Sequence, residues 1–190
     1  MISSIEKSIH EKVLIDHPLF KTSTDDVLRW IPPASVFFLK MFGIKTRSSL
    51  MRQLVILGAT ESLRYFIADS FKKIVHEHRP LPMVGNHSFP SGHTVASFAG
   101  AEFMHKELKG SLPVLSCAGY VGAAAVATIR LMENKHWLKD VVAGAAIGII
   151  TTKFVYSLLG KKKKVIKPVP VDPESVHRTF RAMNEVNEEE

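Results

Sequence analysis

The sequence of 190 residues contains a single cysteine, Cys117. Because one cysteine cannot form an intramolecular disulfide, a disulfide-stabilised scaffold is excluded. Cys117 lies in an apolar run, so we expect a buried thiol without a catalytic role. We expect no signal peptide, since no basic segment precedes an apolar stretch with a small-residue cleavage site. A disordered chain is excluded as well, because 46% of the residues are hydrophobic.

Basic residues outnumber acidic ones, and the formal net charge is +7. This charge suits an anionic partner such as a nucleic acid, an acidic lipid surface or a phosphorylated substrate. The densest basic segment is a run of four lysines at 161–164, and no aromatic residues are interleaved with it. Since nucleic-acid sites for single strands combine cations with stacking aromatics, we expect this run to contact acidic lipid headgroups and not nucleic acid.

Apolar residues form blocks long enough to be considered as membrane spans. Residues 112–129 contain no charge, and their number approaches the roughly 20 residues that a membrane helix needs. Residues 141–160 contain one lysine, Lys153, before the basic run. Residues 53–71 and 94–108 contain charges that we expect to face a bundle interior or an aqueous cleft. The blocks predict an all-α, membrane-embedded helical bundle, with a soluble helical protein as the alternative.

The two ends of the chain differ from this apolar middle. Residues 1–51 predict amphipathic or interfacial helices, and the Pro32-Pro33 pair leaves residues 27–44 as either a kinked span or a helix on the membrane surface. Residues 52–160 form the predicted helical bundle. Residues 161–190 predict a basic anchor followed by a polar tail that several prolines interrupt.

The basic residues also predict an orientation, because Lys and Arg concentrate in short loops on the cytoplasmic side. The lysine run at 161–164 places the end of the last block in the cytoplasm. Counting back, the basic residues at 106–109 and 45–52 fall on that same side. Segments 72–93 and 130–140 therefore emerge together on the outer face.

These two outer segments contain side chains that suit a phosphate group. Arg79 and Arg130 offer planar forks of donors, and Lys72 offers a point charge. The backbone N–H groups of Ser91 and Gly92 add donors at a predicted helix start, where the helix dipole also favours an anion. The pattern therefore predicts a phosphate-binding site.

Two histidines and an aspartate provide the chemistry for such a site. His136 and Asp140 are four residues apart, so in a helix the carboxylate would orient the imidazole and stabilise its positive charge while the other nitrogen attacks phosphorus. His93, from the other segment, can protonate the leaving oxygen. Taken singly, each of these residues also has an ordinary structural role, such as a helix cap or an interfacial side chain.

Three further histidines, His76, His78 and His87, raise the question of a metal site. No cysteine accompanies them, and Arg79 beside them would oppose a cation. We expect them to line a loop or the substrate cleft, and we expect no metal and no cofactor. Glu61, Arg64 and Glu102 are expected to pair inside the bundle.

The spaced motifs resemble the three-part signature of the type 2 phosphatidic acid phosphatase (PAP2) superfamily. The motifs are Lys72-x6-Arg79-Pro80, Pro90-Ser91-Gly92-His93 and Arg130-x5-His136-x3-Asp140. The resemblance covers residues 52–158 and implies a helical bundle like that of the haloperoxidases, with metal-independent hydrolysis of a phosphomonoester or pyrophosphate. One departure is that Ile129 stands where the signature usually has serine, which affects only a secondary phosphate contact or packing role.

The resemblance also implies a role for each matched residue. His136 would form a phosphohistidine intermediate, His93 would be the general acid, and Asp140 would be the partner of His136. The remaining matched residues would bind the substrate phosphate: Lys72, Arg79, Ser91, Gly92 and Arg130.

The chain most resembles the bacterial integral-membrane lipid phosphatases of the superfamily. This implies a phosphorylated lipid substrate, such as undecaprenyl pyrophosphate, phosphatidylglycerol phosphate, phosphatidic acid or a lipid A phosphate. It also implies a bacterial inner-membrane protein whose active site faces the periplasm or the outside. The alternatives are a soluble acid phosphatase of the same superfamily and a catalytically silent protein that binds or transports lipid phosphates. No motif specifies the lipid or the oligomeric state.

Overall fold

The computed structural model describes residues 3–17, 20–81 and 87–160. Over these ranges the chain is all-α, as predicted, with seven helices and no β-strand. The helices are α1 (Ser4–Asp16), α2 (Thr24–Leu28), α3 (Ile31–Met41), α4 (Leu50–Ile74), α5 (Gly92–Leu108), α6 (Pro113–Met132) and α7 (Leu138–Leu159). The four apolar blocks correspond to α4, α5, α6 and α7. The predicted anchor and tail, residues 161–190, lie outside the described residues.

Helix α5 is at the centre of the bundle and packs against α3, α4, α6 and α7. Glycines allow two of these neighbours to approach its backbone closely. A Cβ added at Gly144 of α7 would lie 2.9 Å from the Ser91 carbonyl oxygen, and one added at Gly119 of α6 would lie 3.2 Å from the Ala101 Cα. The close packing of α7 places its first turn beside the start of α5.

Residues 27–44, which the sequence analysis interpreted as either a kinked span or a surface helix, belong to two separate helices, α2 and α3. The helical structure is interrupted between α2 and α3. Pro32 and Pro33 occupy the first turn of α3, where a missing N–H costs no helical hydrogen bond. Helix α3 then lies along α5, with the Phe37 and Phe103 rings 6.1 Å apart. Its 11 residues extend about 16 Å, which is shorter than a membrane span.

Among the described residues, two helices, α6 and α7, are long and apolar enough to cross a membrane, with mean hydropathies of 1.6 and 1.7. The bundle also exposes large apolar side chains on several helices, including Phe66 on α4, Val121 on α6 and Ile150 on α7. Exposed apolar surface of this extent is uncommon on soluble monomers. Cys117 lies on the exposed surface of α6, so the expectation of a buried thiol was wrong.

Glu61, Arg64 and Glu102, which lie within the predicted spans, all have partners in the structure. Arg64 pairs with Glu61 one turn earlier in α4. Glu102 is only 2% exposed and accepts a hydrogen bond from the Tyr120 hydroxyl. Both observations agree with the expectation of pairing inside the bundle.

Candidate active site

The first motif connects the end of α4 to the loop that follows it. Lys72 lies in the last turn of α4, and its Nζ is 3.7 Å from the position that a Cβ at Gly92 would occupy. Arg79 is half-buried in the loop, and its Nη1 donates to the Lys135 carbonyl oxygen at 3.5 Å. The two cations of this motif therefore contact the second and third motifs.

The second motif forms the N-terminal end of α5, which begins at Gly92. The Ser91 N–H donates to the Asp140 carbonyl oxygen at 3.1 Å and therefore ties α5 to α7. This differs from the expectation that the Ser91 N–H binds phosphate. The Ser91 hydroxyl accepts a hydrogen bond from Thr94 at 2.9 Å, so its own proton remains a donor. The N–H groups in the first turn of α5 have no intrahelical partner and are the remaining backbone donors.

In the third motif, His136 and Asp140 are close but do not share a helix. His136 lies in the loop before α7, and its Nδ1 is 3.6 Å from the Asp140 Oδ2. Asp140 accepts a hydrogen bond from the Trp137 N–H at 2.9 Å, which caps α7. Because the Asp140 carboxylate faces Nδ1, the Nε2 of His136 is the nitrogen available for a substrate.

A serine that the sequence analysis did not single out lies between these two side chains. Ser88 is fully buried, and its hydroxyl donates to the Asp140 carboxylate. The same hydroxyl oxygen is 3.4 Å from the His136 Nδ1. The only sequence signal for Ser88 is its position two residues before the Pro-Ser-Gly-His motif.

His93, in the first turn of α5, faces two carboxylates that also lay outside the predicted site. Its Nε2 is 2.8 Å from the Asp26 Oδ1 and 3.8 Å from the Asp25 Oδ2. Asp25 is fully buried and accepts a hydrogen bond from the Arg130 Nη1 at 2.6 Å. In the sequence these two aspartates mark only a helix start, and they precede the residues that resemble the family signature.

The arginines of the site retain donors that protein groups do not use. Arg130 is buried and also pairs with Glu133 at 3.3 Å. The Nε atoms of Arg79 and Arg130 are buried, and neither has a hydrogen-bond partner within the described part of the chain. Buried donors normally have partners, so this arrangement suits an anionic ligand.

Burial favours the neutral form of both histidines. It lowers the pKa of His136, and the positive charges of Arg79 and Arg130 act in the same direction, whereas the Asp140 hydrogen bond opposes them. Burial also lowers the pKa of His93, and the hydrogen bond to Asp26 opposes this shift. A neutral imidazole with a free lone pair is the form that can act as a nucleophile.

One group among the described residues has metal-ligand spacing. The potential ligand atoms of Asp25, Asp26 and His93 lie within 4.8 Å of one another. Arg130 pairs with Asp25 at 2.6 Å and Arg29 pairs with Asp26 at 3.4 Å. These arginines already neutralise the carboxylates and would repel a cation, so the group does not fit a metal ion.

The structure brings the predicted site residues together at one end of the bundle, where α4 ends and α5 and α7 begin. The positive charges of Arg79 and Arg130 act on the buried imidazole of His136, whose Nε2 is available to an electrophile, and Arg130 also lies near His93. Such a site can bind a tetrahedral anion and transfer a phosphoryl group to nitrogen.

Comparison with known proteins identifies a family. The family model of the PAP2 superfamily matches residues 53–164, which is more than half of the chain. The chain is similar to the lipid A 1-phosphatase of Porphyromonas gingivalis, with 30% identity over 154 residues that cover 80% of this chain and 34% of that protein. It is also similar to lipid phosphate phosphatase 2 of Arabidopsis thaliana, with 37% identity over 83 residues that cover 38% of this chain and 29% of that protein. The chain spans about a third of the length of these relatives.

The fold is also similar to a solved structure. The chain matches the crystal structure of the transmembrane PAP2 type phosphatidylglycerolphosphate phosphatase from Bacillus subtilis with a TM-score of 0.60 and 20% sequence identity. The match covers 85% of this chain and 88% of that chain.

Proposed function

The chain belongs to the PAP2 superfamily, and we propose that it is a metal-independent phosphatase that hydrolyses a lipid phosphate or pyrophosphate. The observation that carries this proposal is the buried His136, held beside Asp140 and Ser88 and close to the positive charges of Arg79 and Arg130. Relatives named as lipid phosphatases support the class of substrate.

In the proposed first step, the Nε2 of His136 attacks the phosphorus atom. A nitrogen–phosphorus bond forms while the bond to the leaving oxygen breaks, and the imidazole becomes positively charged. Asp140 stabilises this charge from the Nδ1 side. Lys72, Arg79 and Arg130 hold the phosphoryl oxygens, whose negative charge is stabilised in the transition state.

His93 acts on the leaving group. Its protonated imidazole transfers a proton to the leaving oxygen, and its neutral form then accepts a proton from the water that hydrolyses the phosphohistidine. In the structure its Nε2 contacts Asp26, and Asp25 contacts Arg130. A substrate therefore takes the place of these carboxylate contacts as its phosphate binds Arg130 and its leaving oxygen approaches His93.

The proposal places the catalytic end of the bundle at a membrane surface. Helices α6 and α7 meet the length and composition of membrane spans, and exposed apolar side chains surround the bundle. The basic residues at the other end favour the cytoplasmic side for that end. The site therefore faces the outer leaflet, which in a bacterial inner membrane is the periplasmic side. Lipid A 1-phosphate is the first substrate to test, because the Porphyromonas relative named for that activity aligns with most of this chain.

The test is a phosphate-release assay in detergent with several lipid phosphates and with soluble phosphomonoesters. His136→Ala should reduce turnover by roughly 10⁶-fold, the loss typical of removing a covalent nucleophile. His17→Ala, which removes an exposed histidine at the end of α1, is the matched control and should retain full activity. Phosphate release by His136→Ala on several lipid phosphates would contradict the mechanism.

Measurements on the same protein preparation separate the alternatives: activity in EDTA, partitioning without detergent, and lipid binding without phosphate release. A metal-independent enzyme retains its activity in EDTA, and a strict requirement for a divalent ion would contradict that part of the proposal. A soluble acid phosphatase would enter the aqueous phase without detergent. A silent binding or transport protein would bind lipid phosphates and release no phosphate.

A further inference from the structure

A second charged site lies at the end of the bundle opposite the candidate active site. It is a cavity of about 460 Å³ between the loop before α4 and the C-terminal end of α5. Four cationic side chains line it: Lys45, Arg47, Lys106 and Lys109. We call this cavity the basic pocket. No motif of the family signature contributes a residue to it.

The position of the basic pocket follows from the helices that frame it. Helix α5 begins at the candidate active site and ends at the pocket. Ser111 lines the pocket just before α6 begins, and the carbonyl of Gly160, at the end of α7, accepts a hydrogen bond from Arg47. The pocket therefore lies at the same end of both candidate spans. A helix with the 20 residues of α6 is about 30 Å long, close to the thickness of the hydrocarbon core, so the pocket reaches the headgroup level of the opposite leaflet.

The positive charge of the basic pocket is not balanced by its lining. The single acid among the lining residues is Glu107, which is 2% exposed. Its carboxylate accepts hydrogen bonds from the Ser48 N–H and the Gln53 amide, both at 2.9 Å, and from the Tyr156 hydroxyl at 2.7 Å. These neutral donors hold the carboxylate in place and leave its negative charge unchanged. Outside the lining, Glu102 pairs with Lys106 at 3.5 Å. The four cations therefore outnumber the two nearby carboxylates, and the pocket keeps a net positive charge.

Arg47 and the loop before α4 are also held in place before any ligand arrives. The Arg47 Nη2 donates to the Gly160 carbonyl oxygen at 3.1 Å, and its guanidinium lies 5.6 Å from the centre of the Tyr156 ring. The Nζ of Lys40 donates to the Thr46 hydroxyl and the Ser48 carbonyl, both at 2.7 Å, and orders the loop. A preorganised cationic site binds an anion with a smaller loss of conformational entropy.

We propose that the basic pocket binds the phosphate of an anionic lipid headgroup in the leaflet opposite the one that supplies the substrate. Arginine forks and lysine ammonium groups match phosphate oxygens. The lysine run at 161–164 directly follows Gly160 in the sequence and adds positive charge at this end of the chain. The inference rests on the membrane embedding in the proposed function, and not on the catalytic steps.

The experiment uses the full chain in nanodiscs of phosphatidylcholine, with and without phosphatidylglycerol, and measures the Tm. Phosphatidylglycerol is a phosphodiester, so it lacks the terminal phosphate that the proposed activity removes. Phosphatidylglycerol should raise the Tm of the wild-type protein. Lys45→Gln combined with Lys109→Gln removes two exposed charges of the pocket and should abolish most of this increase.

The matched control is Lys7→Gln combined with Lys12→Gln, which removes two exposed charges from α1 and should retain the full increase. An equal increase in the pocket variant would overturn the proposal. An increase produced by inorganic phosphate in phosphatidylcholine discs, and lost in the pocket variant, would show a site for free anions and would also overturn it. Phosphate release is measured on the same samples, so a loss of catalysis is distinguished from a loss of headgroup binding.

Discussion

At the scale of single residues, His136 and Asp140 are in contact, as their spacing predicts, but they do not lie on one helix as expected. Their spacing predicts one face of a helix, but α7 begins at Leu138 and leaves His136 in the loop. Asp140 stays in place because it caps α7, and Ser88 enters from another loop to contact both side chains. Tertiary packing, and not helical periodicity, therefore orients the imidazole.

The acidic pair of α2 provides a residue-scale prediction about pH. The hydrogen bond to Asp26 acts against the lowering of the His93 pKa. Asp26→Asn removes the carboxylate that accepts this hydrogen bond, so the pKa of His93 should fall further. Since His93 must be protonated to act as the general acid, the decline of kcat/KM on the alkaline side should move to lower pH, with a severalfold loss at neutral pH.

The measurement is the pH dependence of kcat/KM for the wild type and Asp26→Asn with one substrate, whose own ionisation is common to both profiles. Asp16→Asn, at the exposed end of α1, is the control and should leave the profile unchanged. The acidic side of the profile, which reports the protonation of His136, should not move. A shift of the alkaline side to higher pH would refute the role given to Asp26.

At the scale of elements, the contact of α5 with α7 determines the geometry of the site. The two helices approach so closely that Gly144 and Gly148 face the backbone of α5. The hydrogen bond from the Ser91 N–H to the Asp140 carbonyl joins the same helices at their first turns. Any change that separates the helices should therefore also displace His136 from the other motifs.

Gly148→Ala tests this contact, because the added Cβ would overlap the carbonyl oxygen of Val95. Overpacking of this kind should lower the free energy of unfolding by roughly 1–3 kcal/mol and reduce phosphate release. The control is Gly122→Ala on α6, where an added Cβ meets nothing within 4 Å. The control should be unchanged or more stable by up to about 1 kcal/mol, since alanine favours helix more than glycine. Equal stability of the two variants in thermal unfolding would argue against tight packing of α5 on α7.

At the scale of the whole molecule, the bundle has two chemically different ends and an apolar surface between them. The candidate active site occupies one end, and the basic pocket occupies the other. This arrangement predicts a fixed orientation in a membrane, with α1 on the outer side and the turn between α5 and α6 on the cytoplasmic side.

Cysteine labelling in intact cells tests the orientation. In a Cys117→Ser background, Lys12→Cys on α1 should react with a membrane-impermeant maleimide. Gly110→Cys, in the turn after α5, should react only after the membrane is permeabilised. In a soluble protein, both positions would react under the same condition. Reaction of Gly110→Cys in intact cells, with Lys12→Cys protected until permeabilisation, would indicate the opposite orientation.

The sequence by itself determined the helical class, the four long helices and the three motifs whose residues meet at one end of the bundle. Uninterrupted apolar runs and the spacing within each motif are local features of the sequence. They can be recognised without knowing how distant segments pack. The domain boundaries at residues 51 and 160 and the catalytic roles remain predictions.

Only the tertiary structure decided which other residues enter the site and which surfaces stay exposed. Asp25 meets Arg130 across 105 residues of sequence, and Ser88 meets Asp140 across 52. Cys117 is exposed because its face of α6 points away from the bundle. The run around Cys117 is apolar, so composition alone does not show which face of the helix is buried. Contacts between distant segments depend on how the helices pack, and the sequence pattern of each segment carries little information about its partner.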